Sequence, residues 1–262
     1  MIEMVESQEL AGTKRSSPYQ LGMMVFILLA ILTALEFVFA LYLNVWPLLA
    51  VVALLKGGLV MYYYMHIYRL FEEEKVEDRE SFAYKLATNR IGLWFFLLSD
   101  GFLFGGLFVS RLNLLGLSRP DVDQVLGLTI TSVLLISSFF ANRAEVSMEN
   151  GNRSRTLSSL LITILLGVAF IAAVLFIEWR IAPFGPADGV QGAVFYSMTG
   201  FHAFHVLTGV IFLSIVRRNV AHNVYSPEKH WAVEASVVYW HFVDFVWVFF
   251  YPALYLIGTV VH

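Results

Sequence analysis

The chain has 262 residues, 58% of them hydrophobic and 16% aromatic but only 14% charged, with no cysteine and a formal net charge of -3. Soluble globular domains carry about 25% charged residues and 45–50% apolar ones. This composition therefore excludes a soluble enzyme and a disordered chain, and the slightly acidic balance leaves no footprint for nucleic acid. Without cysteine there is no disulfide, iron–sulfur cluster, thiolate copper site, covalently attached c-type haem or thiol nucleophile.

The apolar residues fall in seven runs, each near the twenty or so residues that cross a ~30 Å hydrocarbon core. They cover 21–43, 47–65, 91–112, 125–141, 157–177, 194–216 and 232–260. The first is too long for the core of a cleavable signal peptide, and a second run follows it at once. Strand-like alternation over ten-residue segments is absent, so helices rather than a barrel are expected. The expected fold is an all-α polytopic membrane protein with seven transmembrane helices.

Basic residues set the expected orientation. Thirteen of the 17 Lys and Arg lie in the N-terminal tail and in the second, fourth and sixth connections: Lys14, Arg15, Arg69, Lys75, Arg79, Lys85, Arg90, Arg143, Arg153, Arg155, Arg217, Arg218 and Lys229. Arg111, Arg119 and Arg180 fall on the other side, and Lys56 lies inside a run. The N-terminus is therefore expected inside and the C-terminus outside. The longest polar stretch, 66–90, contains Glu72-Glu73-Glu74-Lys75 and Glu77-Asp78-Arg79-Glu80. It divides the chain into a two-helix hairpin with its charged linker, 1–80, and a five-helix unit, 81–262.

A charged side chain in hydrocarbon costs at least ~2.5–3.5 kcal/mol, so each one needs a partner or a purpose. Glu36 lies seven residues before the outer end of the first run and Lys56 nine residues after the outer start of the second. At about 1.5 Å per residue the two reach nearly the same depth, and a tight turn near Asn44–Pro47 makes them an ion pair. Asp100 sits about ten residues into the third run, ~15 Å deep, with no basic residue within one turn. It is expected to be a proton-linked or structural carboxylate near the midplane.

The sixth and seventh runs hold the densest polar set. His202 and His205 share a face at i, i+3, while Glu234, His241 and Asp244 form a stripe on the seventh. Two readings stay open from the residues alone: a metal or haem site, or histidine–carboxylate hydrogen bonds joining helices in lipid.

Three runs carry longer patterns. Residues 92–104 read Gly-Leu-Trp-Phe-Phe-Leu-Leu-Ser-Asp-Gly-Phe-Leu-Phe and resemble the W-x-F-L-x-S-E/D-x-x-x-F signature of haem-copper oxidase subunit III. Thr199-Gly200-Phe201-His202 through His205-Val206 to Gly209 is similar to the family's T-G-F-H-G-x-H-V-x-x-G. Glu234-Ala235, then Tyr239-Trp240-His241-Phe242-Val243-Asp244 to Trp247, resembles its Y-W-H-F-V-D-x-V-W segment with the preceding E-A pair. Glu178-Trp179 is similar to its Q-x-x-E-Y/W position. Many members carry Glu where this chain has Asp100, and Asp occurs in some branches, notably quinol oxidases. The run from Lys56 to Ile67 instead resembles the small bacterial subunit IV.

The resemblance implies a non-catalytic subunit III, fused to a subunit IV-like hairpin, of a proton-pumping oxidase that reduces dioxygen to water. Such a subunit binds no haem or copper itself. It packs with catalytic subunit I and subunit II, which carry those cofactors, holds phospholipid in a cleft between helix groups, and supports proton uptake. The donor to the complex is then cytochrome c or quinol, and the membrane a bacterial or archaeal plasma membrane. Under this reading His202, His205, Glu234, His241 and Asp244 form an interhelical polar network. Arg217 and Arg218 hold lipid phosphates or anchor topology. The alternatives are an accessory subunit of a nitric oxide reductase, a b-type haem electron carrier using His202 or His205 with His241, and, lower, a secondary transporter.

Overall fold

The computed structural model describes residues 17–43, 45–70 and 82–260. Lys14, Arg15, Asn44 and the charged run 72–80 lie outside them. Among the described residues seven helices are long and apolar enough to cross a membrane.

Local chemistry starts and stops them. Helix α1, Pro18–Tyr42, begins with Ser17 and Gln20 bonded reciprocally in a capping box and with Pro18 in its first turn. Helix α2 runs Trp46–Tyr64, its last turn Val60–Tyr64 widened to a π turn. A short 3-10 turn, Ile67–Leu70, follows. Helix α3, Phe82–Leu115, ends at Gly116, whose φ of 55° suits glycine. Helix α4, Gln124–Glu149, starts on Asp123, whose carboxylate accepts from the amides of Val125 and Leu126 at 2.8 and 3.0 Å. Helix α5 spans Arg153–Ile181 behind an Asn152 cap, with a π turn at Ala173–Glu178. Helix α6 is Gly189–Ala221, and helix α7, Trp231–Leu256, closes in a π turn that Pro252 opens.

The third to sixth apolar runs underestimate their helices, while the seventh, drawn to 260, overshoots α7, which ends at Leu256. Helix α3 starts nine residues before the run at 91, and α4 continues eight residues past 141. Backbone bonds are satisfied within a helix wherever it lies, so it continues through polar residues until a cap stops it.

Helix α7 is the most deeply buried span and packs against α2, α3, α4 and α6. Helices α4 and α5 pair most closely, α1 lies on α2 and α4, and α3 rests on the rim against α6 and α7. At the far end a two-residue parallel bridge, β1 Ser118–Arg119 with β2 Thr259–Val260, ties α3 to the chain after α7.

Without water to drive apolar association, helix packing in lipid relies on close fit and buried hydrogen bonds. Both are visible around α7. Trp240 Nε1 donates to Ser137 Oγ at 3.1 Å and Trp247 Nε1 to Thr131 Oγ1 at 3.0 Å. Each hydroxyl spends its own proton on its helix backbone, leaving lone pairs for the indoles. The Trp240 ring fits between Gly167 and Gly209, where an added Cβ would come within 2.5 and 2.9 Å of ring carbons. We predict that Gly167→Ala costs about 1–3 kcal/mol by overpacking, read as an earlier thermal loss of the subunit from its complex. Gly106→Ala, with nothing within 4 Å of the new methyl, is the matched control and is expected to be neutral.

Candidate functional site

Polar groups inside the bundle gather in three places. The first joins α1 and α2. Glu36 and Lys56 are buried, and Lys56 Nζ donates to Glu36 Oε2. The structure thus brings together the two residues that the depth argument sets at one level. Lys56 also acts electrostatically on Asp244, whose Oδ2 accepts from Ser138 Oγ at 2.7 Å. Beyond them, the π turns of α5 and α7 bring Glu178 and Tyr255 into contact, with the phenol donating to Glu178 Oε1.

The second place is on the rim. Asp100 of α3 faces His205 of α6, with Oδ2 3.5 Å from Nε2. The other ring nitrogen lies 2.7 Å from the Phe201 carbonyl, which fixes the ring. Phe104 meets His205 edge-on, with centroids 4.6 Å apart. Asp100 keeps 21% of its side-chain surface exposed, amid the exposed rings of Phe95, Phe96, Phe102 and Phe204. The pair is therefore built into the bundle yet opens on the surface that faces lipid or another subunit. Beside it a groove of about 170 Å³ runs between α3 and α7, lined by Gly101, Phe104, Gly105, Phe108, Phe245 and Phe249 among others.

The third place lies at the end of the bundle that carries Pro18. Glu234 of α7 receives Arg90 through both oxygens, at 3.1 and 3.4 Å, and Arg69 at 3.3 Å. Arg69 also reaches Glu149 at 3.3 Å and lies 3.5 Å from Glu145. Burial works against the Arg69 charge, but the carboxylates of Glu145, Glu234 and Glu149 outweigh it and raise its pKa. His66 stands beside them with a φ of 51°. Burial, and secondarily the Arg69 charge, pushes its imidazole down to about 4.

These contacts correct the expected network on α6 and α7. Glu234 does not partner His241, because two guanidiniums from α3 and from the turn after α2 take its oxygens. Asp244 bonds to Ser138 rather than to a histidine. His241 stacks on Tyr64 with centroids 4.7 Å apart, and His202 lies between Phe170 and Trp247 at 5.4 and 4.6 Å. Neither ring has a hydrogen-bond partner among the described residues; both pack as aromatic plates. Only His205, of the three, meets a carboxylate, and that carboxylate is Asp100. Arg217 Nε donates to the Leu157 carbonyl at 3.3 Å, and Arg218 sits in the last turn of α6.

Three residues of the third cluster escaped the sequence reading of ionisable groups. Arg69 and Arg90 counted only as loop charges, and Glu145 lies beyond the apolar run. A signal existed for Glu145: Ala141, Ala144, Glu145 and Met148 repeat at helical spacing, and all four are buried. Among the described residues no group of three or more His, Asp or Glu could hold a metal ion.

A bundle of seven membrane-length helices, joined by polar contacts between them, defines the class as a polytopic all-α membrane protein. The comparison with known families then narrows the class. Residues 13–259 match the family described as cytochrome c oxidase subunit III, and the chain belongs to it. The protein named cytochrome c oxidase subunit 3 from Papio hamadryas is 33% identical over 247 residues, covering 82% of this chain and 94% of its own. Its namesakes from Scyliorhinus canicula and Drosophila yakuba are each 36% identical, covering 65% and 64% of this chain and 70% and 69% of their own. The chain is accordingly a subunit III of a haem-copper oxidase complex and does not itself carry the catalysis. The match favours neither a nitric oxide reductase accessory subunit nor a b-type haem carrier.

Proposed function

We propose that the chain sustains proton uptake by the oxidase while dioxygen is reduced to water, and that Asp100 with His205 is the pair through which it does so. The observation that carries this reading is the placement of Asp100: a carboxyl far inside a span, 3.5 Å from an imidazole and partly open to the outer face of the bundle. An intramembrane acid paired with a histidine is by default a functional candidate. Subunits I and II are the partners, with haem and copper on their side of the interface. The names of the relatives favour cytochrome c over quinol as the donor.

Phospholipid belongs in the same reading. The groove between α3 and α7, and a larger one of about 360 Å³ lined by Phe96, Phe212, Ile215, Tyr225, Trp231 and Tyr239 among others, suit acyl chains. Arg217 and Arg218, at the end of α6, suit a headgroup phosphate. The basic-rich connections support an N-terminus inside and a C-terminus outside. The membrane is a bacterial or archaeal plasma membrane, a placement that rests on the subunit IV-like run. The hairpin 1–80 and the unit 81–262 are read as two modules of one subunit. The family match from residue 13 embraces both.

The test is made in the intact complex. Asp100→Ala is expected to shorten the working lifetime during turnover several-fold, while Asp100→Glu retains it. Unchanged turnover, pumping and lifetime in Asp100→Ala would leave this pair with a packing role alone.

A further inference from the structure

Glu145 of α4 is a buried acid without a hydrogen-bond donor among the described residues: it is 1% exposed, and neither carboxylate oxygen accepts a bond from them. Burying an unsolvated carboxylate is costly unless hydrogen bonds or charge compensate it. The nearest cation, Arg69 Nη1, stands 3.5 Å away and is shared with Glu234. The carboxylate instead lines a cavity of about 220 Å³ together with Gly22, Tyr64, His66, Arg69 and Asn142. Across that space His66 Nδ1, likewise without a hydrogen-bond partner, lies 4.0 Å from Glu145 Oε1. The separation is too long for a direct bond and suits a bridging water. A cavity of this size with polar groups in its lining has room for several waters at the ~30 Å³ that each occupies in the liquid.

Among the described residues the charges around the cavity do not balance. The end of α2 and the turn after it bring Tyr64, His66, Tyr68 and Arg69; α3 brings Arg90; α7 brings Glu234; and α4 itself adds Glu149. Helix α1 contributes Pro18, Leu21, Gly22 and Val25 to the lining, none of them charged. Three carboxylates, Glu145, Glu149 and Glu234, thus face two guanidiniums, Arg69 and Arg90. The imidazole between them is pushed toward its neutral form. Among the described residues one positive charge is missing. Exposure rises outward from Glu145 at 1% through His66 at 16% and Arg69 at 21% to Glu149 at 34%. One cavity is thus lined both by the buried acid and by partly exposed polar groups.

We infer that Glu145, the cavity water and His66 form a buried site that takes up one exchangeable proton from the aqueous phase at this end of the bundle. The proton supplies the missing charge, and Arg69 limits how tightly it is held. This site is separate from the Asp100–His205 pair and stands whether or not that pair affects turnover.

Infrared difference spectroscopy of the intact oxidase complex tests it, with pH stepped between about 5 and 9 to cover the shifts that burial and neighbouring charge can produce. The wild type is expected to show a neutral-carboxyl band that moves on ¹³C-glutamate labelling, fades as pH rises and is absent from Glu145→Gln. Arg69→Gln should move its midpoint upward by about one unit or more. If Glu145→Gln does not assemble, Glu145→Asp serves instead: the band should then follow ¹³C-aspartate labelling. No band dependent on Glu145 across this range overturns the proposal in favour of a plain salt bridge. A band that responds to exchange of potassium for choline at fixed pH also overturns it, in favour of a cation site.

Discussion

Lys56→Met alone is expected to release this subunit from the oxidase complex at markedly lower temperature than the wild type. Lys56 and Glu36 are 2% and 0% exposed and bond to each other between α1 and α2. Removing the ammonium leaves a carboxylate in hydrocarbon with its second oxygen already lacking a partner. Breaking a buried pair from one side costs about 3–5 kcal/mol, because the remaining charge is uncompensated. Asp244 also loses the cation that acts on it. The double variant Glu36→Leu with Lys56→Met removes both charges and should recover most of the loss, since an apolar replacement of a whole buried pair is often neutral. The measurement is the midpoint of heat-induced subunit release for the wild type, both single variants and the double. If the double is no more stable than Lys56→Met, the pair is not what joins these helices.

The pair was readable because two facts combine: helical rise turns sequence distance into depth, and a short turn puts equal depths side by side. The seven spans were readable for a similar reason, since the thickness of hydrocarbon imposes a length on each run. Helix ends were not, because Asp123, Asn152 and Gly116 decide them and the apolar runs stop short. Pairing across helices was also illegible. Glu234 and His241 share a stripe, yet Arg69 and Arg90 arrive from 165 and 144 residues away to claim the carboxylate. Which neighbour arrives depends on the rotation of each helix, and a nearly uniform apolar surface does not encode that rotation. The same blindness hid Glu145, which sits in a polar helix end that continues a buried stripe.

Arg111 shows how far a side chain's role can depart from its count. By count it belongs among the three basic residues opposite the N-terminus, at the end of the third apolar run. In the structure it is fully buried in α3 and meets no carboxylate in any described contact. Its guanidinium donates to four backbone carbonyls: Nε to Ala253 at 2.7 Å, Nη1 to Gly116 at 2.6 Å, and Nη2 to Ser118 and Ile257 at 2.8 and 3.3 Å. These oxygens belong to the ends of α3 and α7 and to strand β1, where helix carbonyls run out of amide partners and carry partial negative charge. One planar fork thus stands in for the missing amides of two helix ends. Arg111→Met leaves these carbonyls buried without donors. At about 1–3 kcal/mol for each unsatisfied group, the expected loss exceeds about 3 kcal/mol even if some carbonyls find water. Arg111→Lys keeps the charge but not the fork, and should fall between. The exposed Arg180 provides the contrast: Arg180→Met should stay within about 0.5 kcal/mol of the wild type. Equal stability of the Arg111 and Arg180 variants, measured by subunit release on heating, would return Arg111 to a purely topological role. A large loss confined to Arg111 would mean that this arginine holds the far end of the bundle closed by bonding to main chain.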